Sequence, residues 1–339
     1  MAGAERPRLA ITLGDPAGIG PEVVLKALMH EDVYAQADPL VIGDRRVLER
    51  TVTALGLPLD IQPVSSLRDA TFSPGTVTLL DLGNADPATF AIGEESAVAG
   101  GAAVDYVFRA CDLAMAGDVD AIVTAPLNKA AMHMAGYTYA GHTELLTERT
   151  HAPRVSMLLI GPGLRIVHVS THVSLAEAIA RVTPQRVEEV IQLAYDACRA
   201  LGIAEPRIAV AGLNPHASEG GIFGNQEAES IIPAIAAARA RGLNVSDPQP
   251  PDTVFLRATK GHYDIVVAQY HDQGHIPMKL LAFDSGVNVS YGLPVIRTSV
   301  DHGTAFDIAG KGVASESSML AAIDVAVQMV RAKAEELTS

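Results

Sequence analysis

The strongest constraint on what this chain folds into is an alternation. Short β-branched runs take turns with longer, alanine-rich stretches of helical period. A strand buried on both faces reads as a brief apolar run, and a crossover helix as a longer amphipathic stretch. Runs at 9–13, 40–42, 121–124, 155–160, 165–170, 207–212 and 265–268 read as strands. Stretches at 21–29, 46–55, 97–116, 129–134, 184–201, 227–241 and 317–336 read as helices. Pro184 at the start of one helix and Gly202 past its end fit the usual asymmetry of helix termini. The Gly161-Pro162-Gly163 turn predicts one antiparallel hairpin. The remaining alternation predicts mostly parallel strands, hence an α/β fold. At about 150 residues per domain, a chain of 339 residues is expected to form two domains. No linker separates them, and the DPQPP segment at 247–251 reads as a loop, so the two are expected to share strands.

In parallel α/β sheets, ligands bind beyond the carboxyl ends of the strands. His172 follows RIVHVST, His216 follows RIAVAGLNP and His271 follows DIVVAQY. Three imidazoles with an open position describe a catalytic metal site, and zinc, cobalt and nickel all accept them. The competing reading is coincidence among 11 histidines, since no short His-x-x-x-His spacing ties the three together. His168, inside a strand, reads as a core residue. His30, His133, His151 and His262 read as surface residues, and His275 as a neighbour of His271.

Cations also follow the predicted strands: Lys129 after AIVTAPLN, Lys279 after YHDQGHIPM and Arg297 after VSYGLPVI. His142 and Thr143 open the helix HTELLTERT, where free N–H groups favour an anion. The plain alternative is that Thr143 only caps that helix. The Gly-rich string after the first strand, GDPAGIGPE, matches neither a dinucleotide fingerprint nor a Walker A loop. It says only that backbone approaches something closely there.

Composition excludes several classes. With Asp+Glu at 39 against Lys+Arg at 25, the net charge of −14 lacks the basic footprint of a nucleic-acid binder. Cys111 and Cys198 fall in helical stretches and are expected to be reduced thiols. The sequence shows neither a signal-like leader nor a run near the ~20 apolar residues of a membrane span. A cytoplasmic location is the expectation, with no membrane and no nucleic acid as partner.

The strings GDPAGIGPE, GHTE, LNPHASEGG, YHDQG and VNVSYGLPVIRTSVDHGTAFDIAGKG, together spanning 11–312, resemble the 4-hydroxythreonine-4-phosphate dehydrogenase (PdxA) family and its paralogues. The resemblance implies a divalent metal at His172, His216 and His271, with one ligand reaching in from a neighbouring subunit of a homodimer. The ion would be zinc, or else cobalt, magnesium or nickel. It implies substrate contacts at His142, Thr143, Lys279, Asn288 and Arg297, with Asp272 and Lys279 as candidate catalytic residues. Asp272 would serve as the base or as an orienting carboxylate. The string at 302–312 is similar to the adenosine-binding loop of isopropylmalate dehydrogenases. This assigns NAD to His302, Gly303, Thr304, Ala305 and Asp307, the Asp307 carboxylate accepting the ribose 2′-hydroxyl. The implied architecture is isopropylmalate dehydrogenase-like, two α/β/α subdomains with the active site in their cleft. The first is expected at 1–130 plus 285–339 with the cofactor loop, the second at 131–284 with the metal ligands and dimer interface.

The implied reaction is metal-dependent, NAD-linked oxidation of 4-phosphooxy-L-threonine at C3 with loss of CO2, as in pyridoxine biosynthesis. The paralogue alternative takes 4-phospho-D-threonate or 4-phospho-D-erythronate to dihydroxyacetone phosphate, and HIPMK after YHDQG resembles that side. GLRIVHV and NPHASEG resemble a further branch acting on aromatic dihydrodiols, against which His142 and Thr143 speak. A non-catalytic metal- or phosphometabolite-binding protein is the remaining alternative; it would require loss of a ligand or of the cofactor loop.

Overall fold

The computed structural model describes residues 6–338 and divides the chain into two compact units. One comprises Met1–Pro153 and Leu293–Arg331, the other Arg154–Gly292 and Ala332–Ser339.

The first unit opens with β1 (Arg8–Thr12), α1 (Gly20–Ala27), α2 (Glu31–Gln36), β2 (Asp38–Gly43) and α3 (Arg45–Leu55). There follow β3 (Asp60–Val64), β4 (Thr76–Asp81), α4 (Ala97–Ala116), β5 (Ala121–Thr124), α5 (Lys129–Met134) and α6 (His142–Thr150). Its strands pair in parallel in the order β3-β4-β2-β1-β5, with β12 (Ile296–Val300) next to β5. Leu9, Ile11, Leu40, Ile42 and Ile122 are fully buried, which is why these strands read as unbroken apolar runs.

The second unit contains β6 (Ser156–Gly161), β7 (Leu164–His168), α7 (Leu175–Ala180), α8 (Pro184–Ala200) and β8 (Ile208–Ala211). It continues through α9 (Ile232–Ala240), β9 (Val245–Gln249), α10 (Val254–Thr259), β10 (Ile265–Ala268), α11 (His271–Ala282) and β11 (Val287–Tyr291). The order is β11-β6-β7-β10-β8-β9. β6 and β7 form the expected antiparallel hairpin, and β11 pairs antiparallel with β6; β7, β10, β8 and β9 are parallel. One face packs Leu159, Ile166, Ala209 and Val266 against Phe255 of α10 and Met278 of α11. The helix α12 (Ser317–Thr338) closes the chain.

The mostly parallel α/β class is as the alternation predicts. Several elements differ. The DPQPP segment contributes to β9 rather than being all loop; as an edge strand it tolerates Pro248, whose missing N–H costs the sheet little. The stretch 227–241 is not one helix: a π-helical turn, Glu227–Ile231, precedes α9. Pro233 near the start of α9 has no N–H to continue the ladder backwards. Arg297 does not follow a strand but lies within β12, and Lys279 lies within α11; of the three cations only Lys129 follows one, β5. The division falls after Pro153 and Gly292, where the sequence pattern places it after 130 and 284. α5 and α6 pack against α4, which carries His142 and Thr143 into the first unit. Among the described residues, no helix is long and apolar enough to cross a membrane. Cys111 and Cys198 are buried and free.

Candidate active site

In the first unit, β1, β5 and β12 are adjacent and parallel, so the loops that leave their carboxyl ends open at one edge. The glycine-rich string after β1 is tied to both neighbours. Asp15 N–H donates to the Pro126 carbonyl at 2.9 Å, and Ile19 N–H donates to the Thr304 carbonyl at 3.0 Å. A Cβ on Gly18 would stand 2.9 Å from the Thr304 Cβ. The close approach implied by GDPAGIGPE is therefore to the 302–312 string. Further along, the buried Glu22 carboxylate accepts from the Ala314 N–H at 2.8 Å and from the Gly312 N–H at 3.3 Å. Lys26 Nζ donates to Glu22 and to the Gly312 and Ala314 carbonyls, all at 2.8–2.9 Å. Within that string the Asp307 side chain is exposed, Thr304 is buried, and Ala305 adopts a left-handed φ of 41°. His302 Nδ1 lies 3.0 Å from the Gly303 carbonyl, while its Nε2 is buried with no hydrogen-bond partner.

Arg297 is 2% exposed. Its Nε and Nη2 donate to Thr124 Oγ1, at the end of β5, at 3.2 and 2.6 Å. Burial pulls the guanidinium down to about 9, opposed by the Glu144 charge, so it stays protonated near neutrality. His142 opens α6, and Gly141, not Thr143, takes the N-cap position with no side chain to satisfy the first-turn N–H groups. The His142 ring is half-buried, yet its Nε2 is shielded and has no hydrogen-bond partner. Burial, then the Arg297 charge, pushes its pKa well below the ordinary histidine range, so the ring is neutral. A charged guanidinium, a neutral imidazole and the Thr124 hydroxyl are groups of the kind that receive a phosphate or carboxylate. Thr124 was not among the expected site residues, because a buried strand threonine carries no local signal of ligand contact.

The second unit carries the expected metal ligands. His172 and His271 have ring centroids 5.8 Å apart. Two imidazoles on one tetrahedral ion, with metal–nitrogen bonds of about 2.0 Å, place their centroids at roughly 5 Å, so this pair fits as two ligands. Asp272 Oδ1 stands 2.7 Å from His271 Nδ1, which orients the ring and leaves Nε2 available. His275 stacks on His271 at 3.7 Å, with its Nδ1 3.0 Å from the His271 carbonyl. His216, exposed beyond β8, does not join them: among the described residues no three His, Cys, Asp or Glu side chains converge to hold one ion. His271, His275 and Lys279, four apart, share one face of α11. The Asn288 Oδ1, on β11, is buried with no hydrogen-bond partner. His168 is a core residue, as expected; burial pushes its pKa down to about 3, and Nδ1 lies 3.2 Å from the Met157 carbonyl. His30, His133, His151 and His262 are exposed.

A family model described as pyridoxal phosphate biosynthetic protein PdxA matches residues 35–326. A D-threonate 4-phosphate dehydrogenase from Cupriavidus necator is 50% identical over 97% of this chain and 98% of its own. A 4-hydroxythreonine-4-phosphate dehydrogenase from Desulforapulum autotrophicum is 46% identical over 95% of each chain. The crystal structure of 4-hydroxythreonine-4-phosphate dehydrogenase from Klebsiella pneumoniae superposes with a TM-score of 0.88 at 45% identity, covering 97% of this chain and 99% of that one.

Proposed function

The chain belongs to the PdxA family, and from that premise we propose that it is a dehydrogenase that oxidises D-threonate 4-phosphate at C3, with NAD as hydride acceptor and loss of CO2. The observation that carries the phosphate requirement is the buried Arg297, held on Thr124 beside the shielded His142 nitrogen. Relatives named for D-threonate 4-phosphate, together with the HIPMK stretch, favour a C2 hydroxyl over the C2 amine of 4-hydroxythreonine-4-phosphate.

In this reading Arg297, His142 and Thr143 receive the phosphate, and Lys279 and Asn288 contact the rest of the substrate. His172 and His271, with His216 of a second copy, would hold a divalent ion, and that ion when bound would supply Lewis-acid polarisation of the C3 hydroxyl. Zinc suits an all-imidazole donor set. Asp272 is engaged with His271, which leaves Lys279 as the proton carrier. Oxidation removes a hydride from C3 and a proton from its hydroxyl. The resulting ketone lies β to the carboxylate, so the C1–C2 bond breaks with release of CO2 and a proton returns to C2. Asp307, exposed on the 302–312 string, accepts the ribose 2′-hydroxyl and repels a 2′-phosphate, so NAD is preferred over NADP.

The second copy has a physical motive. Ile276, Leu280, Leu281 and Phe283 of α11 and the turn after it are exposed, Leu280 by 82%. With Phe255, Leu256 and Tyr270, the side chains of Ile276, Leu280 and Leu281 border a groove of about 520 Å3 that also touches Asp272. An apolar face of this kind supports the reading that a second copy of the chain covers it.

The test is a substrate panel followed at the reduced-nicotinamide absorbance. D-threonate 4-phosphate, D-erythronate 4-phosphate, 4-hydroxythreonine-4-phosphate and their unphosphorylated forms are compared with NAD and with NADP. Only phosphorylated members are expected to turn over, D-threonate 4-phosphate with the highest kcat/KM. Equal rates without phosphate would remove the role given to Arg297, and a preference for the amine would overturn the substrate assignment.

A further inference from the structure

Among the described residues, only the loop that carries His216 runs through several successive non-glycine residues of left-handed φ. After β8, the main chain enters a run in which His216, Ala217, Ser218 and Glu219 have φ of 53°, 55°, 67° and 45°, followed by Gly220 and Gly221 at 70° and 98°. L-residues avoid this region because Cβ crowds the backbone, so four non-glycine residues in succession form a strained segment. Such segments persist only where their surroundings over-determine them.

The surroundings here converge on one side chain. Glu227 is 1% exposed. Its Oε1 accepts from the Leu213 and Asn214 main-chain N–H groups, both at 2.8 Å, and its Oε2 accepts from Asn214 Nδ2 at 2.8 Å. All three donors lie in the two residues that precede Pro215 and His216. Gly212 permits this closeness: a Cβ there would stand 2.7 Å from the Ala217 Cα and 3.2 Å from Glu227 Oε1. Glu227 is itself presented by the π-helical turn Glu227–Ile231, a widened turn of the kind that recurs at functional sites. The His216 ring, by contrast, has only loose neighbours: Glu219 Oε2 at 3.9 Å and the Phe223 ring at 6.1 Å. The direction of the imidazole therefore follows from its main chain, and Glu227 anchors the two residues from which that main chain departs.

We propose that Glu227 is a positioning residue that holds His216 in its metal-ligating conformation. The inference rests on the reading of His216 as a ligand. In Glu227→Gln the amide oxygen can still accept the Leu213 and Asn214 N–H groups, but the NH2 then faces Asn214 Nδ2, donor against donor, so that anchor is lost and the loop can relax out of its left-handed path.

The test is titration of the full-length, metal-stripped protein with Co(II), following the visible d–d spectrum of the bound ion, with thermal melting of the apo protein alongside. Outer-shell changes of this type weaken metal binding by about 10- to 100-fold. Glu227→Gln is expected to lose affinity in that range and to alter the Co(II) spectrum, with the apo melting temperature close to wild type. Wild-type affinity and spectrum in the variant would overturn the inference while leaving the metal reading intact. A wild-type protein that binds no Co(II) overturns the metal reading and the inference with it. If Glu227→Gln does not fold, Asn214→Ala removes the Oε2 contact, together with the Asn214 Nδ2 hydrogen bond to Gln226, and leaves the Oε1 contacts in place. A several-fold loss of Co(II) affinity then supports the proposal, and an unchanged affinity overturns it.

Discussion

Asp15 shows how much a single buried carboxyl weighs. It is fully buried, and burial, opposed by the Ala17 and Asn128 amides, raises its pKa from 3.8 to about 6. The folded state therefore holds this proton more tightly than the unfolded chain does. Stability is greatest below the unfolded value and is lost as pH rises from about 4 to about 6, after which the penalty is constant. A rise from 3.8 to about 6 corresponds to about 3 kcal/mol at neutral pH. Asp15→Asn keeps the acceptor that Ala17 N–H uses and removes the charge. It is expected to melt higher than wild type at pH 7.5, with a gap that narrows toward pH 5. A constant gap across that range would show that ionisation of Asp15 is not the cause.

At the level of secondary structure, α1 is eight residues long and spends its charged pair on another segment. Glu22 and Lys26 are four apart, so they share a face. Both point at the end of the 302–312 string rather than at solvent. Glu22 is 2% exposed, so removing its partner leaves a buried carboxylate uncompensated. Lys26→Met is expected to destabilise by about 3 kcal/mol. In the proposed reading the 302–312 string holds the cofactor, so KM for NAD should rise more than kcat falls. The double change Glu22→Gln with Lys26→Met should recover most of the stability. Urea unfolding and initial rates over a range of NAD check both; a cost within about 0.5 kcal/mol, as for an ordinary surface lysine, would dismiss the pair as a fastening.

At the scale of the whole molecule, among the described residues one chain does not bring three His, Cys, Asp or Glu side chains together to hold an ion. If His216 acts on a site whose other ligands belong to a second copy, two inactive variants can complement. A heterodimer of His216→Ala and His271→Ala contains one site with all ligands intact. Equimolar random mixing gives half heterodimers, each with one of two sites active, so about a quarter of wild-type activity is expected. Sedimentation should show a dimer that buries the α11 face. No recovery on mixing, or a fully active monomer, would place all the ligands in one chain.

The alternation of apolar runs and amphipathic stretches was enough to reveal the α/β class, and several elements, such as α4 and β10, fall where it puts them. The reason is local: burial on both faces and helical period are written in neighbouring residues. Edge strands escaped it, because β3, reading DIQPV, is mostly uncovered and has no apolar pattern to show. The histidines beyond β7, β8 and β10 were likewise legible, because the end of a parallel strand is a sequence position. Partners were not. Arg297 meets Thr124 across 173 positions, Lys26 meets Ala314 across 288, and Glu227 reaches back to the loop of His216 through a π-helical turn that no periodicity announces. Each of these depends on which strand lies beside which and which loop folds onto which helix. That choice is made by long-range packing, and it turned a glycine-rich string into a brace and set a strand arginine on a buried threonine.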